Sequence, residues 1–407
     1  MIFSFKVDTN MKKYISLPFI FCATLLLSQN TWVQKGTFLG QARLGAASFS
    51  IGTKGYIGTG YGNPGDVFYK DFWQWDQSSN AWTQKANFPS VNRAWASGFS
   101  IGTMGYICCG YDSNGVERRD LWQYSQSANF WTQKTQLPGT ARSEAIAFSI
   151  GTKGYVGLGA NGNSNLNEFW EWDQASNTWT QKANFAGTPR NGAVAFSIGT
   201  KGYVGTGEDV NGYQEDFWEW DQATNTWTRK ANFTGGVRAA AVGFSIGNLG
   251  YIGTGWNSHQ LACKDFWVYD PATDLWVRLT DFSGTARVVA TGFSIGTKGY
   301  IGTGFDNVSR KDFFEYTPGT AGVIESENEV HVNTFPNPVF TRVTFEMDKE
   351  LKNAELKLFD ISGNEVVEKI FSGNKVQLER NDLPAGIYFY GVNENGSKVA
   401  SGKIVVE

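Results

Sequence analysis

Six tryptophans recur along this chain at nearly fixed spacing, at Trp32, Trp82, Trp131, Trp179, Trp227 and Trp276. Six arginines keep step with them, at Arg43, Arg93, Arg142, Arg190, Arg238 and Arg287. Successive members of both series lie 48–50 residues apart. A unit of that length cannot bury its apolar faces alone, so each copy must be covered by its neighbours. One copy shows the pattern. Asn177-Thr178-Trp179-Thr180-Gln181-Lys182-Ala183-Asn184-Phe185 leads to Arg190, then to Phe196-Ser197-Ile198-Gly199-Thr200-Lys201-Gly202-Tyr203-Val204-Gly205-Thr206-Gly207, then to Asp216-Phe217-Trp218-Glu219-Trp220-Asp221.

Turn chemistry cuts this unit into four short strands. Ala193 to Ile198 is small and apolar, Gly199-Thr200-Lys201-Gly202 reads as a hairpin turn, and Tyr203 to Thr206 returns. Phe217, Trp218 and Trp220 form a third strand, Asp221 to Asn225 turns, and Trp227 lies on a fourth. Three residues after each arginine stands an alanine (Ala46, Ala96, Ala145, Ala193, Ala241, Ala290), and five after it Ser48, Gly98, Ala147, Ala195, Gly243 or Gly292. Small side chains suit the innermost strand, where sheets crowd an axis, and the aromatics suit the wider gaps between sheets. The first Trp strand precedes any arginine, and the last copy ends at Phe314-Glu315-Tyr316 without one. The N-terminal strand is therefore expected to complete the final copy and remove an exposed edge.

These features resemble the kelch family: an arginine before the inner strand, glycines after the second, then an aromatic (Trp75, Tyr124, Trp172, Trp220, Tyr269, Tyr316) with a tryptophan seven residues on in the copies that continue. The resemblance covers about 30–318 and implies an all-β, six-bladed kelch-type β-propeller. Gly-Thr-Gly stands where the family usually has Gly-Gly, so the geometry of that turn is open.

The flanks read differently. Met11-Lys12-Lys13 followed by the apolar run Tyr14 to Leu27 reads as an export signal over 1–29, with Met11 the more natural start and no transmembrane anchor. Residues 319–329 read as a linker, and 325–407 carry 9 basic and 14 acidic residues against 23 of each over 30–324. From 330 to 407 the pattern is alternating β, a small immunoglobulin-like β-sandwich. Phe335-Pro336-Asn337-Pro338, Asp360-Ile361-Ser362-Gly363 and Leu383-Pro384-Ala385-Gly386-Ile387-Tyr388 follow in order. In these motifs the segment resembles the type A C-terminal sorting domain of Por (type IX) secretion. That resemblance implies the type IX machinery as partner, and a secreted or outer-surface location on a Gram-negative bacterium, reached through the periplasm.

The charge balance, formal net −3, gives no footprint for nucleic acid. His259 is the one propeller histidine, which excludes the copper-radical chemistry found on some kelch propellers, and no spacing calls for a metal or a cofactor. After export Cys108, Cys109 and Cys263 remain, an odd number that implies no disulfide framework. The six arginines could rim one channel mouth and attract an anion, or pair with the equally periodic Asp71, Asp120, Glu168, Asp216, Asp265 and Asp312. A ligand site on a repeated scaffold should show where the copies differ. Two residues after the arginine, Trp95 and Glu144 stand where the other copies have Gly, Ala or Val. The variable loops add Tyr69, Arg118, Tyr213, Trp256 and Arg310, and Glu208-Asp209 is an acidic run with incomplete calcium spacing. Two functions stay open: binding of an extracellular glycan or protein, and a sugar-acid mutarotase of the sialate epimerase type. The second follows from the family resemblance, with Glu144 as base and the arginines holding the substrate carboxylate.

Overall fold

The computed structural model describes residues 30–63, 65–319, 330, 332–360, 365–380, 383–394 and 397–407. The export signal expected over 1–29 and nearly all of the linker lie outside the described residues. Contacts divide the chain into two compact units, Met1–Thr320 and Ala321–Glu407.

Among the described residues the first unit contains six four-stranded antiparallel sheets. In the first, Ala47–Ile51, Lys54–Gly58, Phe72–Asp76 and Ala81–Lys85 lie side by side in chain order. The innermost strands of successive sheets adjoin, and the last of them, Thr291–Ile295, adjoins Ala47–Ile51, so the sheets form a closed ring. The sixth sheet takes its outermost strand from Thr31–Gln34, which sets Trp32 opposite Tyr316. Asn30 fastens the joint by accepting from the Tyr316 hydroxyl and from the Gly319 amide, both at 2.8 Å.

The apolar cores lie between sheets. Phe49, Tyr56 and Phe72 of the first sheet meet Ile107, Tyr124 and Trp131 of the second. The sixth sheet meets the first in the same way, through Phe293, Tyr300 and Phe313 against Ile57, Trp75 and Trp82. Rings meet edge to face, as between Phe72 and Trp131 at 4.9 Å and 66°, the geometry that the aromatic quadrupole prefers.

The hairpin turn is narrower than its sequence suggests. Strands end at Ile198 and restart at Lys201, so Gly199-Thr200 alone turns the chain, with Gly199 at φ +58°. Gly202 therefore lies within the return strand, and its role is close approach. A Cβ there would sit 2.3 Å from the Phe148 ring of the preceding sheet, and Gly105 meets Phe49 equally closely, at 2.0 Å. Half of what looks like turn glycine is packing glycine.

Outer strands are also fastened in a circle. The indole N–H of Trp82, Trp131, Trp179, Trp227, Trp276 and Trp32 each donates to a main-chain carbonyl of the preceding copy, at 2.7–3.3 Å.

The second unit pairs Val332–Phe335 with the long strand Arg342–Phe359, which also pairs with Glu365–Glu379 and Gly386–Glu394; Ser397–Val406 closes the edge. Register shifts between Glu346 and Ala354 bend the long hairpin around one core that includes Phe345, Leu356, Tyr390 and Ile404. Asn337, in the Phe-Pro-Asn-Pro opening, accepts from the Val405 amide at 2.9 Å and so ties the start of the unit to its last strand.

Gly202→Ala is expected to lower propeller stability by about 1–3 kcal/mol, because the added methyl must displace the Phe148 ring in a filled interface. Equilibrium urea unfolding of the variant measures it.

Candidate functional site

Each of the six arginines is wholly or almost wholly buried. Arg43 donates from Nη1 to Asp71 at 2.7 Å and to the Thr59 carbonyl at 2.7 Å, and from Nη2 to Asp71 at 2.8 Å. Arg93, Arg142, Arg190, Arg238 and Arg287 repeat this with Asp120, Glu168, Asp216, Asp265 and Asp312. This corrects the reading of an arginine rim: the guanidinium groups are spent inside the sheet junctions and do not face the channel. The unusual Gly-Thr-Gly turn explains itself here. Its threonine, at φ +60° in Thr59, aims its carbonyl at the arginine. The following Gly60 amide donates to the Arg93 carbonyl of the next copy, and the equivalents from Gly110 to Gly304 close a circle at 2.7–2.8 Å. Cys109 takes the threonine's place in the second copy, at φ +68°, which makes the cysteine pair a substituted turn.

Burial pushes the carboxyls of Asp71, Asp120, Glu168 and Asp265 up, but the arginine's hydrogen bonds and charge, joined at the three aspartates by an indole N–H from the Trp two residues on, outweigh it. All four are held below their ordinary range.

Above these clamps lies the channel mouth. The residue two after each arginine has a left-handed backbone in every copy: Gly45, Trp95, Glu144, Gly192, Ala240 and Val289, with φ between +52° and +60°. Their amides and carbonyls form a circle, each N–H donating to the residue of the preceding copy at 2.7–3.3 Å. The backbone polar groups at the axis are thereby satisfied by one another. Glycine holds this conformation freely, whereas Trp95, Glu144 and Val289 hold it at a cost of roughly 1–2 kcal/mol each.

A cavity of about 310 Å³ opens over this circle. Trp95, Glu144, Tyr213 and Trp256, four of the residues marked by broken symmetry, line it together, joined by Asn191 and Glu208. Trp95 and Trp256 belong to the second and fifth sheets, on opposite sides of the ring, and the two carboxylates lie on the arc between them. Trp95 rests against Gly45 and stacks on Tyr61 at 5.8 Å. Glu144 lines the cavity half-buried; burial, and the charge of Glu208, raise its pKa. Burial and Glu208 raise that of Tyr213 as well.

Other candidates lie elsewhere. Tyr69 covers the Arg43 guanidinium, 4.4 Å from its ring centroid. Arg118 is paired with the buried Asp112, and Arg310 with Asp306 at 2.5 Å. These three stabilise their own loops and do not line the mouth. Asp209, half of the acidic run, accepts from the Thr188 hydroxyl, the Asn211 amide and the Gln214 amide group. Among the described residues no group of three potential ligands could hold a metal ion. Asn191 and Glu208 were missed as lining residues, although both are legible by register. They occupy the positions just after the arginine and just after Gly-Thr-Gly, which pair with each other in every copy, as in Leu44 with Tyr61 and Ala239 with Trp256.

Comparison with known proteins agrees with this architecture. Residues 101–304 match the family model described as the KLHDC2/KLHL20/DRC7 kelch-repeats domain, and residues 333–407 match that of the secretion system C-terminal sorting domain. A solved structure titled "Structure of YjhT" superposes with a TM-score of 0.58 at 16% identity, over 68% of this chain and 95% of that one. No curated protein sequence matches the chain.

Three outcomes are expected. Asp71→Asn strands a buried guanidinium and should cost about 3–5 kcal/mol in urea unfolding. Because the clamped carboxyls lie below their unfolded values, the stability they supply is complete above about pH 4 and is lost as the pH falls through the depressed values. Glu144→Gly should instead raise stability, by on the order of 1 kcal/mol, since it relieves the left-handed strain and removes a half-buried carboxylate without a donor.

Proposed function

We propose, from the premise that this chain belongs to the kelch-repeat family and carries a type IX sorting domain that sends it to the cell surface or the medium, that the propeller is an extracellular binding protein. Its ligand is a carbohydrate, held at the channel mouth. The observation that carries this reading is the cavity itself: side chains from four different sheets, at positions where the copies diverge, converge on one space over the axis. Two indoles supply flat apolar faces for sugar C–H surfaces, while Glu144, Asn191, Glu208 and Tyr213 supply acceptors and donors for hydroxyls. At about 310 Å³ the space takes a small group, not a folded partner.

The mutarotase reading loses its main support. It needs free guanidinium groups to hold a sugar acid, and all six are committed to carboxylates. The cavity lining has two carboxylates and neither Lys nor Arg, which repels an anionic substrate.

A glycan microarray probed with the full chain tests the proposal. Binding to a defined set of glycans is expected, and Trp95→Ala and Trp256→Ala should each weaken it by about tenfold or more, the effect of losing one stacking face. Unchanged binding in both variants rejects this site. Ala240 at the position equivalent to Trp95 shows that alanine is compatible with the axial circle.

A further inference from the structure

Resting on the carbohydrate reading, we infer that the mouth selects a sugar bearing a free, protonated amine: an unacetylated amino sugar at the end of a longer, neutral chain.

Three observations converge on this class. The first is charge without an answer. Glu144 and Glu208 share one cavity, and among the described residues neither carboxylate has a hydrogen-bond donor or cation as partner. Elsewhere the propeller pairs the carboxylates at its sheet junctions with arginine, six times over. Two mutually repelling carboxylates left open toward one space create a site whose natural complement is positive. The second is the kind of cation. Trp95 and Trp256 flank the carboxylates, so the complement must present an apolar or π-accepting face as well as a charge. A protonated amino sugar has both, an ammonium group beside a ring of C–H bonds.

The third observation gives the ligand its length. A groove of about 290 Å³ adjoins the mouth and shares Glu208 and Tyr213 with it. It is lined by Asn211, Ser258 and Gln260, neutral hydrogen-bonding side chains, with Val237 the one apolar side chain. Such a lining matches a run of hydroxyls better than the alternating side chains of a peptide. The mouth thus takes the charged unit, and the groove carries the rest of the chain outward between the loops at 208–213 and 256–260.

The cost of keeping Glu144 supports a role beyond packing. Its backbone position is filled by glycine in two sister copies and by alanine in a third, so a long acidic side chain there is not a requirement of the ring. Ammonium binding would answer both the burial of Glu144 and its repulsion by Glu208.

Isothermal titration calorimetry of the full chain with an N-acetylglucosamine tetramer deacetylated only at its non-reducing end, its fully N-acetylated counterpart, and tetralysine separates the possibilities. The free amine form should bind about tenfold or more tightly than the acetylated one, as expected for one added charge-assisted hydrogen bond. Glu144→Gln with Glu208→Gln should erase that difference, so that the amine and acetylated forms bind with equal affinity. Equal affinity for the two tetramers, with both still lost in Trp256→Ala, overturns the amine inference and leaves the carbohydrate reading standing. Binding of neither tetramer overturns the inference, and a glycan array without hits then removes the carbohydrate reading too. Tetralysine binding as tightly as the amine tetramer, and indifferent to Trp256→Ala, overturns it in favour of a basic peptide.

Discussion

A guanidinium group without water around it must be matched completely or it unfolds what encloses it. This propeller repeats that constraint six times. Each arginine fixes the carboxylate that opens the third strand of its own sheet and the carbonyl of a left-handed turn residue, while its own carbonyl receives an amide from the preceding copy. One side chain therefore sets strand register, turn conformation and sheet-to-sheet spacing together. The tryptophan two residues past each of Asp71, Asp120, Asp216 and Asp265 adds its indole N–H to the same carboxylate, which links the clamp to the aromatic interface. The phenylalanine–glycine contacts between sheets can then be as close as they are because the distance between sheets is already set.

With the scaffold's polar groups satisfied internally, what remains open at the axis carries specific meaning. Three circles of hydrogen bonds, through the outer indoles, through the turn glycines and through the left-handed residues at the mouth, leave few backbone groups for a ligand. In the proposed function, recognition falls to side chains. Two of these sit on an innermost circle whose backbone conformation favours glycine, where every larger residue is retained against a local penalty. Trp95 and Glu144 are the clearest cases, and both line the cavity.

Much of this was legible in the residues alone. The arginine–tryptophan period implied a ring of sheets, and the small residues after each arginine implied the axis, which Ala46, Ala96, Gly98 and Gly292 indeed line. Broken symmetry marks Trp95 and Glu144, and both line the cavity. What could not be read was the state of the arginines, since perfect recurrence fits both a rim and a set of buried clamps; only their burial decides. Tyr69, Arg118 and Arg310 misled for a related reason. A variable loop spends part of its variation on holding itself together, as the pairs Arg118–Asp112 and Arg310–Asp306 show. The placement of Glu208 and Asn191 follows from a register that begins at a fixed point, which the composition of a loop does not carry.

The strand Thr31–Gln34 lies against Phe313–Thr317, so the last junction joins segments more than two hundred residues apart in the chain. Five sheets assemble from neighbours in sequence, but this one must close a loop spanning nearly the whole propeller, an entropic penalty on the order of 5 kcal/mol. Sheet formation can therefore run ahead of closure, and the ring is completed only after Phe313–Thr317 has emerged and met a strand made near the beginning. Until then the first and sixth sheets each show an aromatic face, including Trp75 and Tyr300, that the finished ring conceals. An exported chain of this kind is most vulnerable to aggregation in that interval, when every unit is built and the circle is still open.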